Sequence, residues 1–484
     1  MSVVMLDFDQ CYRATESRDA RFDGWFIVGV RTTGVYCRPS CPSPVLPKPD
    51  NITFLRTAAA AQLAGLRACK RCRPDAVPGS PEWDTRADLV GRAMRLIADG
   101  VVDRVGVPGL ACALAVSERH LHRLLLESVG APPLALARAQ RAQTARVLIE
   151  TTPLSFSEIA FAAGFSSIRQ FNETIRQIFA SSPTELRGAC RRGERPESGR
   201  LSLRLALRRP YDGNGTVSWL AARAVAGVEE VCGGVYRRVL RLPSGIGTVA
   251  VEPRDDHVRA TFRLSSVADL GAAVHRCRRL LDLDADPHTY ASVLAADEVL
   301  APFIAANPGR RAPGTVDAAE SAIRAVLGQQ VSVAAARTVS ARLVAAHGSP
   351  LDEPDGSLTH AFPTPDALAA ATLDGAGLPR TRRETLDELA RRLAGGELWL
   401  DGGADRDEVE RRLLEIPGVG PWTATYILLR ALGDPDAFPA GDLGLRRAAR
   451  KLRLPSSAAA LTARSQRWRP WRAYAAHHLW AVDA

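Results

Sequence analysis

Residues 413–424, Leu413-Leu414-Glu415-Ile416-Pro417-Gly418-Val419-Gly420-Pro421-Trp422-Thr423-Ala424, restrict the local fold more than any other stretch of the chain. Val409, Leu413 and Leu414 recur at helical spacing, and Pro-Gly-Val-Gly then ends the helix. A second helix is expected from about Trp422 to Leu432. Two short helices joined in this way put glycine backbone N–H groups and a helix N-terminus on one convex tip. With no side chain at Gly418 or Gly420, an anionic phosphate can approach closely. A glycine turn between two core helices has the same local pattern, so the stretch by itself leaves both readings open.

Asp442 stands 22 residues after Gly420. The hairpin with an aspartate at that distance resembles the helix-hairpin-helix superfamily of DNA glycosylases, and the resemblance implies that Asp442 is the catalytic carboxylate. The plainer alternative is an aspartate that caps the next helix.

At 484 residues the chain is long enough for about three domains, each with its own core. The formal net charge of +10 favours a polyanionic partner without identifying it. Only Lys48, Lys70 and Lys451 are lysines, so arginine carries nearly all of the positive charge and cannot form a Schiff base. The first residues have no basic segment followed by an apolar one, and no run of about 18 apolar residues occurs. A soluble, cytoplasmic, nucleoid-associated protein with no membrane partner is expected.

The nine cysteines include two close pairs, Cys37/Cys41 and Cys69/Cys72, with 27 residues between them. Each pair can chelate from one turn, which suits a tetrahedral four-cysteine zinc site; two unrelated surface pairs or a redox motif are the alternatives. The wording Arg31-Thr32-Thr33-Gly34-Val35-Tyr36-Cys37-Arg38-Pro39-Ser40-Cys41, with Cys69-Lys70-Arg71-Cys72-Arg73-Pro74-Asp75, resembles the N-terminal domain of the Ada family. That resemblance implies Zn2+ on Cys37, Cys41, Cys69 and Cys72, and a second role for Cys37 as acceptor of a methyl group from a DNA phosphotriester. Zinc keeps sulfur as thiolate at neutral pH, so it can attack carbon without a general base. Methylating one of four thiolates also removes one negative charge and weakens repulsion from DNA phosphates. The transfer would be stoichiometric.

Val77-Pro78-Gly79-Ser80-Pro81 reads as a linker. The segment after it contains a repeat offset by 50 residues: Ser117, Arg119, Leu121, Leu125, Val129 and Pro133 align with Ser167, Arg169, Phe171, Ile175, Phe179 and Pro183. In the second copy a helix over Phe156–Ala163, a turn at Gly164-Phe165 and a longer helix over Ser167–Phe179 are expected. Two such units resemble the tandem helix-turn-helix domain of AraC-type regulators. The resemblance implies that Arg119, His120 and His122 in the first unit, and Arg169, Gln170 and Asn172 in the second, face the major groove; solvated side chains are the alternative.

After the basic linker 191–199, Leu201–Leu205, Gly247–Val251 and Val258–Leu264 alternate apolar and polar residues like half-buried strands. With helices expected around Trp219–Val225 and Val267–Leu281, they suggest an antiparallel α/β subdomain. Pro210-Tyr211-Asp212 and Leu220-Ala221-Ala222-Arg223-Ala224-Val225 are similar to the N-terminal subdomain of the AlkA family of 3-methyladenine glycosylases. Ala319–Ser332 is similar to that family's first long helix and following loop, and Arg469-Pro470-Trp471-Arg472-Ala473-Tyr474-Ala475 with His478-Leu479-Trp480 to its last helix.

The AlkA resemblance implies base release from alkylated duplex DNA. Gln329 and Gln330 would contact DNA, Gln330 standing where a leucine wedge is used, and Gly418 and Gly420 would grip a phosphate. Trp219, Trp422, Tyr426 and Trp480 would line a pocket that attracts cationic bases; each could equally be core. Leu443 replaces a pocket tyrosine. Lyase chemistry needs an amine where Trp422 stands, so a monofunctional enzyme that leaves an abasic site is implied. An iron–sulfur cluster is not expected, because no cysteine follows Cys277; the hairpin is a candidate for a monovalent cation held by backbone carbonyls. The Pro-Cys-His-Arg signature of the O6-methylguanine methyltransferase is absent.

The expected architecture is multidomain and mainly α. It comprises a small zinc-bound α/β domain (1–78), an all-α tandem helix-turn-helix domain (82–190), an antiparallel α/β subdomain (200–288) and an all-α helix-hairpin-helix domain (289–484). The expected function is an alkylation-response protein acting as a monomer on alkylated and promoter double-stranded DNA, with RNA polymerase as a further partner. Three alternatives stay open: a regulator whose glycosylase half only binds DNA, a repair enzyme merely tethered by its front half, and a zinc domain with no methyl transfer.

Overall fold

The structure is a computed structural model that describes residues 8–74, 90–188 and 200–483. Within these it omits 17, 19–25, 40, 42, 44–45, 70–71, 73, 91–92, 95, 98–99, 115, 153, 374–376 and 401–405. The linkers expected at 77–81 and 191–199 lie outside the described residues. The chain divides into two compact units, Met1–Arg195 with Ser266–Ala272, and Pro196–Ser265 with Ala273–Ala484.

In the first unit, helix α1 (Phe8–Glu16) precedes strands β1 (Ile27–Val30), β2 (Val35–Cys37) and β3 (Ile52–Leu55), helix α2 (Ala58–Leu63) and strand β4 (Arg67–Ala68). They form one sheet in the order β3-β1-β2-β4, antiparallel except for the β2–β4 pair. Gly34, in the left-handed region, closes the β1–β2 turn. Helices α3 (Val101–Ala113), α4 (Glu118–Val129), α5 (Pro133–Thr151), α6 (Phe156–Ala162), α7 (Ile168–Phe179) and α8 (Pro183–Gly188) follow.

The 50-residue repeat has a structural cause at each aligned position. Ser117 and Ser167 are N-caps whose hydroxyls accept from the N–H of His120 and Gln170. Leu121, Leu125, Phe171 and Ile175 are fully buried, while Pro133 and Pro183 each open the next helix. The aligned arginines, Arg119 and Arg169, stay exposed. The two units differ at the first helix: α3 kinks at Gly106, followed by Pro108, whereas α6 starts on a Ser155/Glu158 capping box.

The second unit opens with β5 (Leu201–Ala206), α9 (Gly213–Ala221), β6 (Glu229–Cys232), β7 (Val235–Leu242), β8 (Gly245–Pro253) and β9 (His257–Arg263). The five strands form an antiparallel sheet in the order β5-β9-β8-β7-β6. The helix expected over Trp219–Val225 begins six residues earlier, because Asp212 caps it at Gly215 N–H. Strands β6 and β7 had no clear apolar alternation, since Arg237, Arg238 and Arg241 interrupt it. Arg238 is buried only because Glu229 and Glu320 neutralise it, at 3.2 and 2.7 Å.

The helical part comprises α10 (Ala318–Leu327), α11 (Val333–His347), a hairpin of β10 (Ser349–Asp355) and β11 (Leu358–Ala361), α12 (Arg380–Ala394), α13 (Arg406–Leu414), α14 (Pro421–Ile427), α15 (Leu443–Lys451) and α16 (Arg472–Asp483), among other helices. The β10–β11 hairpin departs from the expected all-α domain. One apolar core runs from Val225, Val228 and Val239 through α10, α12, α13 and α14. The sheet subdomain therefore shares a core with the helices rather than standing apart.

Candidate functional site

The hairpin in the second unit is built by its sequence. Val409 and Leu413 anchor α13 in the core, while Leu414, expected on the same face, is exposed. Gly418 has φ +87°, and a Cβ there would lie 2.1 Å from Thr385 Oγ1. Both backbone sign and space thus demand glycine. Thr385 Oγ1 donates to Pro417 O at 2.8 Å and pins the turn to α12. A Cβ at Gly420 would meet nothing within 4 Å, so that side of the tip is open. Pro421 then starts α14, and the helix continues as a π-turn over Leu428–Leu432 where an uninterrupted α-helix was expected.

Asp442 is the N-cap of α15, accepting from Leu445 N–H at 3.0 Å through Oδ1. The capping alternative is therefore observed, and it leaves Oδ2 outside the cap. Trp480 Nε1 donates to the same Oδ1 at 2.8 Å, and Trp422 Nε1 donates to Oδ2 at 3.1 Å. Trp422 and Tyr426, four apart on α14, stack at 5.4 Å with an interplanar angle of 17°. Tyr426 meets Trp480 edge-on at 6.4 Å. Carboxylate and three rings, from three separate segments, thus form one cluster in which every member keeps partial exposure.

Trp219 stands one ring further out. It reaches the cluster through His477, 5.3 Å away, whose ring in turn lies 5.0 Å from Trp480. The guanidiniums of Arg223 and Arg430 already lie over the Trp219 ring, at 3.9 and 4.2 Å, so an incoming cation would meet two others there. Burial, with Arg223 and Arg324 nearby, pushes Arg430 down to about 10. Burial and the charges of Arg430 and Arg223 hold His477 well below the usual histidine range, so it is neutral. Neither Arg430 nor His477 stood out in the sequence; only the fold brings them to Trp219.

Gln329 and Gln330 diverge. Gln329 Nε2 donates to Gly418 O and Thr423 Oγ1, both at 2.9 Å, and Gln329 O accepts from Arg382 at 2.6 Å. Its side chain ties the loop after α10 to the hairpin. Gln330 is exposed, with its backbone in the left-handed region at φ +53°. Such a backbone is unusual for a non-glycine residue. Leu443 is 63% exposed beside Asp442.

In the first unit, parallel pairing of Val35 with Arg67 and Tyr36 with Ala68 sets the ends of β2 and β4 side by side. That register delivers Cys37 and Cys69 together, and the turns beyond them supply Cys41 and Cys72. The four Sγ atoms all lie within 4.8 Å of one another, Cys41 and Cys69 at 3.9 Å. Four sulfurs at that spacing fit a tetrahedral Zn2+ with Zn–S bonds of about 2.3 Å. Among the described residues, backbone N–H groups of Arg38 and Ser43 reach Cys72 and Cys41.

Of the groove-facing candidates, Arg119, His120, His122, Arg169 and Gln170 are exposed and Asn172 is half-buried. Gln170 Oε1 accepts from Ser166 Oγ at 3.0 Å, and Arg123 bonds the His120 ring at 3.3 Å.

Sequence models of four domain families match in succession. They are the metal binding domain of Ada over residues 10–75, a helix-turn-helix domain over 110–189, the AlkA N-terminal domain over 202–317 and the HhH-GPD superfamily of base excision DNA repair proteins over 323–473. The probable bifunctional transcriptional activator/DNA repair enzyme AlkA of Mycobacterium tuberculosis (strain H37Rv) is 57% identical over 481 residues, 98% of this chain and 96% of its own length. DNA-3-methyladenine glycosylase 2 of Escherichia coli (strain K12) is 36% identical over 282 residues, 57% of this chain and 95% of that protein. The solved 3-methyladenine DNA-glycosylase from Archaeoglobus fulgidus shares the fold at TM-score 0.52 and 24% identity, over 58% of this chain and 97% of its own. The architecture is that of a helix-hairpin-helix base excision repair protein behind an Ada-type metal-binding front. The chain belongs to the family of bifunctional transcriptional activator/DNA repair enzymes AlkA.

Proposed function

We infer that the second unit is a DNA-3-methyladenine glycosylase that releases N-alkylated purines from double-stranded DNA, and that the first is an alkylation sensor and transcriptional activator. The observation that carries the enzyme is Asp442, a half-exposed carboxylate fixed among Trp422, Tyr426 and Trp480. A base alkylated on a ring nitrogen is a delocalised cation and a good leaving group. Extruded from the stack, it leaves a sugar that becomes positive as the glycosidic bond breaks. A carboxylate already in place stabilises that charge without reorganising. Trp422 and Tyr426 offer the base stacked π-faces.

Gln330, exposed at the end of a loop bolted to the hairpin, is suited to fill the gap in the duplex, while the open Gly420 side of the tip takes a phosphate. Lys451 is held by Val482 O at 3.1 Å and by Asp483. With tryptophan at 422, no amine stands at the reacting carbon, and the product is an abasic site.

In the first unit, Cys37, Cys41, Cys69 and Cys72 hold Zn2+, which keeps sulfur as thiolate. Cys37, to which the Ada resemblance assigns the acceptor role, takes the methyl group: its S–C bond forms as the methyl C–O bond breaks and a phosphodiester anion departs. The tandem helix-turn-helix then binds promoter DNA through α4 and α7, with RNA polymerase as the partner recruited and the protein acting as a monomer in the cytoplasm. Among the described residues no helix is long and apolar enough to cross a membrane.

The test is release of methylated bases from alkylated duplex DNA by the wild-type protein and by Asp442→Asn. Release by the former and loss in the latter is expected. No release by a folded wild-type protein would leave only a DNA-binding role for the second unit.

A further inference from the structure

Asp442 carries more hydrogen bonds than an N-cap needs. A carboxylate has about four lone-pair positions. Oδ1 accepts from Leu445 N–H and Trp480 Nε1, and Oδ2 accepts from Trp422 Nε1. Three positions are taken, and the fourth, on Oδ2, is left for the reaction. The donors come from three elements: α15 itself, α14 behind the hairpin, and α16 at the far end of the chain.

The packing is built to allow this. A Cβ on Gly444 would lie 3.1 Å from Asp442 Oδ1 and 3.2 Å from Trp480 Cδ1, tighter than ordinary contact. Glycine at the second position of α15 thus lets the Trp480 indole close on the carboxylate. Indole N–H is a donor only, so neither tryptophan can take a proton or compete as a base. Among the other described tryptophans, Trp468 Nε1 also donates to a carboxylate, Asp297 Oδ2 at 2.9 Å, while the Nε1 atoms of Trp219 and Trp471 are buried and unbonded. What sets Asp442 apart is an indole donor on each of its two oxygens.

We propose that Trp422 and Trp480 are positioning residues for Asp442: through their N–H groups they fix the orientation of its carboxylate, a role separable from stacking on the base. The proposal rests on the glycosylase reading of Asp442. It divides each tryptophan into two functions, a π-face that sets affinity for the extruded base and an N–H that sets the rate of bond cleavage. Removing a hydrogen bond to a charged group without removing the ring then lowers the rate and leaves affinity alone.

The experiment uses the full chain with zinc. Trp480→Phe and Trp422→Phe keep an aromatic ring and lose the donor. Replacing Trp480 with benzothienylalanine keeps both rings and substitutes sulfur for N–H. Single-turnover release of 7-methylguanine from duplex DNA is expected to slow roughly ten- to a hundredfold for each, and the benzothienylalanine variant, which keeps the whole ring face, is expected to hold duplex affinity within about twofold. In the folded wild-type protein and in Asp442→Asn, indole N–H resonances are compared by NMR; those of Trp422 and Trp480 are expected to move and the other indoles to stay.

An unchanged rate for the benzothienyl variant, a loss confined to affinity, or no shift of the two resonances overturns the proposal while the glycosylase reading stands. Equal release by Asp442→Asn and wild type, or none by wild type, removes that reading and the proposal with it.

Discussion

Asp442 and Cys37 are the reactive groups of the two activities proposed above, and the chain holds them in different ways. Cys37 comes with its partners in two short spacings, and a metal supplies the positive charge that keeps sulfur ionised. Asp442 is held by orientation instead, from donors 3, 20 and 38 residues away. A sulfur that is consumed once has to be nucleophilic. A carboxylate that serves many turnovers has to stay unreacted and in place, which hydrogen bonds from rigid elements accomplish.

The largest expected effects come from crossing the two sites. Asp442→Asn should lower base release by about a hundredfold or more while leaving methyl acceptance intact. Cys37→Ala should abolish methyl acceptance, read by mass spectrometry of the N-terminal peptide, with base release unchanged. Any variant that lost both activities while folded would break the independence of the units.

Stripping zinc with a chelator sharpens the same contrast. Structural zinc in small domains contributes on the order of 10 kcal/mol to folding. Chelation should therefore abolish methyl acceptance and expose backbone amides of β1–β4 to hydrogen exchange, with base release retained.

A smaller effect is expected at the buried charges beneath the sheet. Burial opposes ionisation of Glu229, but Arg324 and Arg238 outweigh it and hold its carboxyl below the usual range. Arg238→Met would leave Glu229 and Glu320 with less compensation and should cost about 3 kcal/mol. The check is the urea concentration at which base release is lost.

The smallest effect is a pH slope. Burial, then Arg310, pushes His478 down to about 3, so the folded protein keeps it neutral. The unfolded chain binds a proton below about 6.5, so stability falls as pH drops through that value. His478 by itself should account for about 2 kcal/mol of the loss between pH 7.5 and 5. His478→Leu should flatten the decline, measured by denaturant midpoints at the two pH values.

Much of this was legible because the signals are local. The Ser117/Ser167 repeat became two capped helices, the cysteine pairs one cluster, and Pro-Gly-Val-Gly a hairpin. Strands β6 and β7 were not, because arginines that look solvated are neutralised by Glu320, Asp355 and others far along the chain. For Gln329, expected to contact DNA, only the fold shows that its amide is also tied to the hairpin.

The sequence alone determined the order of the parts, the turns that demand glycine or proline, and the residue types at each reactive centre. These follow from backbone sterics, periodicity and ligand chemistry, which act over a few residues. Only the tertiary structure decided that Trp480 and Trp422 close on the two oxygens of Asp442, and that Trp219 sits between two guanidiniums. Hydrogen bonds and cation–π contacts depend on distances of a few ångströms between side chains, and spacing along the chain does not encode those once the elements fold back on each other.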